Sequence, residues 1–227
     1  MIVAAIGAAP ATAQNVSGVM GPVVRENQSS IELRTAMVTE LDGAPNRRAA
    51  RIHYQRSLNG AVAVRGVVQG LDDRRTGFRL NALQGEVLWQ ITPDGQPLQI
   101  AVRADARIGW NGASDSVALN LAGEYRIDER WSVRSQVRSI RLIGTDASQA
   151  LQWQTRGSVM YKLKGADLAL DYFGSHGSFG DNSRDAAQAG PAINVPVGQF
   201  YVRGGLLARV SGRVPDNEAR LWMGYRF

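Results

Sequence analysis

The chain closes on "LWMGYRF" (221–227), in which Leu221, Met223, Tyr225 and Phe227 alternate with Trp222, Gly224 and Arg226. Terminal residues commonly fray in water, where four large apolar side chains would be badly placed. A period of two is the signature of a strand with one apolar and one polar face. The apolar side of this strand must therefore meet either a protein core or lipid.

The same alternation runs upstream through most of the chain. Period-two segments occupy 30–38, 48–57, 61–70, 77–91, 97–110, 116–127, 131–143, 149–163, 167–175, 186–193, 199–210 and 218–227. The run at 186–193 is the least regular, because Pro191 removes a ladder donor. Between the runs lie short connections, "LNG", "TPDGQP", "DER", "KGA" and "NVPVG". These alternate with "LDGAPN", "LDDRRTG", "WNGAS", "GTDAS", "HGSFGDNSRD" and "SGRVPDN", which are mostly longer and more polar. The expectation is an all-β chain of about twelve antiparallel strands in up-and-down order, with no internal repeat beyond the hairpin and no domain boundary.

Hydrophobic residues make up 44% of the chain, yet they are spread every second position rather than gathered into core runs. A soluble sandwich would bury such faces against each other and turn its charges to water. Three features favour lipid instead. The runs are about ten residues long, enough for a tilted strand to cross a bilayer. Tyr54, Trp89, Trp110, Tyr125, Trp131, Tyr225 and Phe227 sit near the strand ends, as interfacial girdles do. An even strand number closes into a barrel without an open edge, which hydrocarbon requires.

No apolar stretch reaches the length of a membrane-spanning helix. The opening "MIVAAIGAAPATAQ" carries an Ala11-Thr12-Ala13 cleavage pattern. Residues 1–13 are thus expected as a signal peptide, 14–28 as an N-terminal periplasmic segment and 29–227 as the barrel. Cysteine is absent, so no disulfide or thiolate framework is available.

The terminal Phe227 with Tyr225, Met223 and Leu221 behind it resembles the C-terminal signal of Gram-negative outer-membrane β-barrels, and the repeated amphipathic strands carry the likeness over most of the chain. That resemblance implies a porin-like barrel in the bacterial outer membrane, partnered by outer-membrane lipids and by the barrel-assembly machinery, which in this family reads the last strand.

The polar face indicates what such a barrel would enclose. By strand parity Arg34, Arg51, Arg65, Arg103, Arg107, Arg126, Arg134, Arg138, Arg156, Arg203, Arg209, Arg220, Arg226 and Lys162 point inward, against Glu32, Glu86, Asp105, Glu124 and Asp171. The cations outnumber the carboxylates. Unpaired charge in low dielectric is costly unless water or anions share the space, so the expectation is a narrow, anion-preferring channel for small acidic solutes. Arg138 and Arg141 have opposite parity and can both face inward only across a bulge.

Architecture and lining together resemble the twelve-stranded channels for acidic sugars and oligosaccharides. The alternative is a lumen sealed by Arg–acid and Arg–Gln networks, giving a structural or anchoring barrel. A second alternative is a lipid hydrolase built on His176 and Ser178, which share a strand face, with Asp181 or Asn182 orienting the imidazole. The net charge of +6 and a sequence pI near 10.1 raise nucleic acid as a partner. The arginines sit singly at strand spacing, however, rather than in one basic face with stacking aromatics, so no nucleic-acid partner is expected. His53 and His176, with scattered carboxylates, supply no metal spacing, and no cofactor or enzymatic activity is expected.

Overall fold

The computed structural model describes residues 16, 18–39, 47–73, 77–111, 113–144, 151–178 and 185–227. The expected signal peptide, Asp181 and Asn182 lie outside them. Twelve strands follow one another: β1 (Ser29–Thr39), β2 (Arg47–Ser57), β3 (Val62–Asp73), β4 (Gly77–Gln90), β5 (Leu98–Gly109), β6 (Asp115–Arg126), β7 (Trp131–Ile143), β8 (Gln152–Leu163), β9 (Ala166–Ser178), β10 (Ala186–Val197), β11 (Phe200–Ser211) and β12 (Asn217–Arg226). Each pairs antiparallel with its sequence neighbour, and β12 returns to β1 to close the barrel. In the closing seam Ile31 faces Tyr225, Leu33 faces Met223 and Thr35 faces Leu221. The apolar half of "LWMGYRF" thus joins the apolar half of β1 on the outside.

The outward positions form a lipid-facing belt. Ile52, Val87, Leu119, Leu121, Leu170, Leu206 and Met223 are all exposed. A strand of twelve residues is ~40 Å long and, inclined at ~40°, spans roughly the apolar band of an outer membrane. At the end bearing the short turns Lys164–Gly165 and Gly198–Gln199, aromatic rings gather into a girdle. Trp131 packs on Tyr161 at 4.7 Å, and Phe200 on Tyr225 at 4.6 Å, between ring centroids. In outer-membrane barrels the end with short turns is the periplasmic one.

The irregular run extends further than its composition suggests. β10 continues through Pro191 and Pro196 to Val197, so most of "NVPVG" is strand rather than turn. The ladder to β11 is interrupted between Ala189 and Ala192, where the missing proline N–H costs no bond. Only glycine fits at 190, since a Cβ there would collide with the Leu206 carbonyl. No bulge turns Arg141 inward: the β6–β7 register is continuous past it, and Arg141 is exposed while Ile140 is buried.

Residues 14–28, expected as a periplasmic lead-in, depart most from the sequence reading. The described part enters the barrel from the periplasmic end and runs up inside it as an extended strap. Val16, Met20, Pro22 and Val24 are buried. Met20 and Val24 pack against Ala63, Leu88, Ala101 and Ala122, and Val16 packs against Ala36, Ala49 and Leu71. Small inward side chains leave room for a second chain, and apolar strap residues gain by leaving water.

Candidate functional site

The lumen brings together the inward residues of all twelve strands around the strap. Its polar groups hold the strap by its backbone. The Val24 N–H donates to Gln90 Oε1 (2.6 Å) and the Met20 N–H to Gln136 Oε1 (3.3 Å). The Gly18 carbonyl accepts from Arg156 Nη1 (3.3 Å). Gly18 lies flush against the Trp222 indole, where a Cβ would collide with the ring.

From Gln136 a buried chain continues. Gln136 Nε2 donates to Asn120 Oδ1 (2.6 Å), Asn120 Nδ2 to Asp105 Oδ2 (3.0 Å), and Arg138 Nη2 to Asp105 Oδ1 (2.7 Å). Asn120 is fully buried and Gln136 nearly so. A network this enclosed fixes its members strongly, because each partner lost leaves a buried polar group unmatched.

The structure divides the arginines of the inward-parity face into three groups. In the first, each arginine has a carboxylate. Arg34 pairs with Glu32, which also accepts from the Tyr201 hydroxyl. Arg65 and Arg103 share Glu86 at 3.3 and 3.2 Å, and Arg134 meets Glu124 at 2.6 Å. Arg203 and Arg220 converge on Asp171 at 2.7 and 3.0 Å, with Ser158 Oγ donating to it as well. Arg34, Arg203 and Arg220 also stack on Trp222.

The second group has a surplus. Among the described residues Arg51 and Arg107 have no carboxylate within ion-pair distance, and their buried Nε atoms lack a partner. Arg51 is repelled by both Arg107 and Arg138. Arg156, itself buried, is repelled by Arg138, Arg103 and Arg51. All four belong to the outer half of the barrel by their place on β2, β5, β7 and β8.

The third group corrects the sequence reading. Arg126 is exposed at the periplasmic end of β6, and Arg209 is exposed near the outer end of β11, paired with Asp216. Parity gives the face of a strand but not the height along it, so these two stand at the mouths.

Several lumen residues went uncounted. Glu218 is buried on the same face as Arg220, whose charge it feels, and period two from Trp222 would have found it. Gln90 and Gln136 have inward parity, but nothing in the sequence marks them as partners of the strap. The strap itself had a signal: Val16, Gly18, Met20, Pro22 and Val24 alternate through "NVSGVMGPVV".

His53 is buried 4.0 Å from Glu32 among arginines. His176 has partners other than the Ser178 that the hydrolase alternative names. His176 Nε2 lies 2.7 Å from Thr155 Oγ1, and its Nδ1 lies 3.7 Å from Asp185. No hydrogen bond joins it to Ser178 among the described residues.

No family model matches the chain, and no curated protein matches it significantly. Solved structures match over nearly their whole length. An outer-membrane channel from Pseudomonas putida F1 superposes with a TM-score of 0.70 at 11% identity, covering 91% of this chain and 97% of that one. The chain has the fold of the outer-membrane porins and channels. The NanC porin matches with a TM-score of 0.61 at 11% identity, over 87% of this chain and 98% of its own. The KdgM porin, solved in complex with disordered oligogalacturonate, matches at 0.58 and 13% identity, over 87% and 98%. With the apolar belt and the closed strand order, this places the barrel in the bacterial outer membrane. At these identities the likeness is one of architecture.

Proposed function

We propose that this protein is a narrow, anion-preferring outer-membrane channel, closed in the present conformation by its own N-terminal strap. The observation that carries the reading is the surplus of guanidinium in the outer half of the lumen, where Arg51 and Arg107 have no carboxylate within ion-pair distance among the described residues. A wall of one sign raises the local concentration of counter-ions and excludes co-ions. A KdgM porin solved with oligogalacturonate supports acidic solutes as the class to test first. Outer-membrane lipids and the assembly machinery are the other partners proposed, the latter reading Leu221, Met223, Tyr225 and Phe227 on the last strand.

One observation favours a sealed structural barrel as the second reading. Arg103, Asp105, Asn120, Gln136 and Asp171 are buried, so the middle of the lumen is filled while the strap is in place. The two readings part once the strap is removed. Salt-gradient conductance of the refolded barrel with and without residues 14–26 separates them: discrete anion-selective steps from the shortened chain support the channel, and silence from a correctly folded shortened barrel supports the sealed one. The reading is non-enzymatic. His176 and Ser178 form no hydrogen-bonded pair, and Ser178→Ala is expected to leave every property of the barrel unchanged.

A further inference from the structure

The cationic cluster and the strap are physically joined, and the joints have a direction. Arg138 and Arg156 are diagonal neighbours on β7 and β8, and Arg138 is paired with Asp105, two residues along β5 from Arg107. Arg51 feels the charges of Arg107 and Arg138, and the Asp105 carboxylate offsets part of the repulsion at Arg107 and Arg156. Arg51 and Arg107 spend no hydrogen bond on the protein among the described residues. Arg156 spends one on the strap, through the Gly18 carbonyl, and one on Gln154 Oε1 at 3.0 Å. Arg138 reaches the strap by relay through Asp105, Asn120 and Gln136 to the Met20 N–H. Two of the four guanidinium groups are therefore free for a ligand, and the other two are occupied, directly or by relay, in holding the strap.

A neutral carbonyl is a weak partner for a guanidinium in such company. Charge-assisted pairs with an oxyanion are roughly twice as strong as neutral hydrogen bonds and match the planar guanidinium fork. An incoming oxyanion also relieves the repulsion that the empty cluster carries. A monovalent halide offers no fork and cannot bridge several guanidiniums.

Resting on the channel reading above, we infer that Arg51, Arg107, Arg138 and Arg156 form a binding site for a small multivalent oxyanion, a di- or tricarboxylate or a phosphate, and that its occupation takes Arg156 from Gly18 and releases the strap. The strap is then a resident competitor: it fills the lumen until a solute of the right charge arrives from the outer side. This makes opening depend on the kind of anion rather than on ionic strength.

The chain has no cysteine, so Met20→Cys places a single reporter at the buried middle of the strap. The rate of its alkylation by a water-soluble maleimide is measured on the refolded full chain, in chloride and in citrate of equal ionic strength, with folding checked by heat-modifiable gel mobility. The expected result is slow labelling in chloride and at least a tenfold acceleration in citrate. Arg51→Gln with Arg107→Gln should abolish the acceleration, while Arg156→Gln should label fast in both salts.

Equal rates in chloride and citrate would overturn the inference. So would an undiminished citrate effect in the Arg51/Arg107 double variant. The readout is strap exposure, not current, so it stands apart from the conductance test. A strap that responds to citrate in a barrel that never conducts refutes the channel and keeps the site, and a conducting barrel with an unresponsive strap does the reverse.

Discussion

The two sides of this lumen use arginine in opposite ways. On the wall made by β9 to β12, Arg203 and Arg220 share the buried carboxylate of Asp171, Glu218 supplies a second negative charge to Arg220, and both arginines stack on Trp222. On β2 and β5, Arg51 and Arg107 have no carboxylate within ion-pair distance among the described residues, and both are repelled by Arg138 on β7. The first arrangement holds a closed barrel together, since breaking one partner of a buried pair strands the other. The second costs stability, and under the proposed function it serves an anionic solute. The difference teaches that arginine count says little about a pore. What matters is which arginines have been provided with a carboxylate.

The largest expected effect breaks the neutral wall. Asp171→Asn leaves Arg203 and Arg220 without their shared anion and should destabilise the barrel by about 3–5 kcal/mol, read from urea unfolding in lipid by tryptophan fluorescence. A loss below ~1 kcal/mol would show that Asp171 is not what holds that wall.

Next comes the outer surface as a control for both walls. Leu121, exposed midway along β6, should cost about 2–4 kcal/mol when replaced by Arg, because a guanidinium tolerated inside has no partner in hydrocarbon. Tolerance of Leu121→Arg would contradict the lipid-facing assignment of that face.

A smaller thermodynamic effect with a larger functional one belongs to the cationic wall. Arg51→Gln with Arg107→Gln removes repulsion without orphaning a carboxylate, so stability should change by less than ~1 kcal/mol or rise. The same double variant, with the strap deleted, should lose much of its chloride-over-potassium preference in reversal-potential measurements. A large loss of stability would place these arginines with the neutral wall.

The smallest effect lies outside the membrane, in the β6–β7 turn. Asp128 accepts N–H bonds from Arg130 (2.7 Å) and Trp131 (2.6 Å), and the backbone N–H of Trp131 first, then that of Arg130, holds its carboxyl below the usual range. A lowered folded value means that the turn's contribution is present above the ordinary Asp range and fades as pH falls through the lowered value. Asp128→Ala should therefore shift the urea midpoint slightly at neutral pH and not at all in strong acid. An equal shift at both would exclude the carboxylate as the cause.

The barrel was readable from the sequence because lipid imposes one rule on every strand: alternate, and leave no backbone group unpaired. Leu221 to Phe227, the runs of β5 and β6 and the inward face of β7 all obey it locally, so each could be read without the others. β10 was harder, since Pro191 is tolerated only because the ladder to β11 lapses beside Gly190, a condition set by a different strand. The lumen was legible as a face and no further. Pairings such as Arg103 with Glu86 or Arg220 with Asp171 depend on where neighbouring strands lie in height, which parity does not give. The strap was missed because its alternation resembles a short strand with no partner. Its place is defined by Ala63, Ala101 and Ala122, small residues contributed by three separate strands.

The central claim is that an anion-preferring pore lies beneath a strap the protein supplies itself. Its most direct test is planar-bilayer conductance under a potassium chloride gradient, comparing the full chain with one lacking residues 14–26. The account predicts a largely silent full chain, and a shortened chain that opens in discrete steps with a reversal potential on the chloride side. A folded shortened barrel that stays silent, or one that reverses on the potassium side, would contradict it.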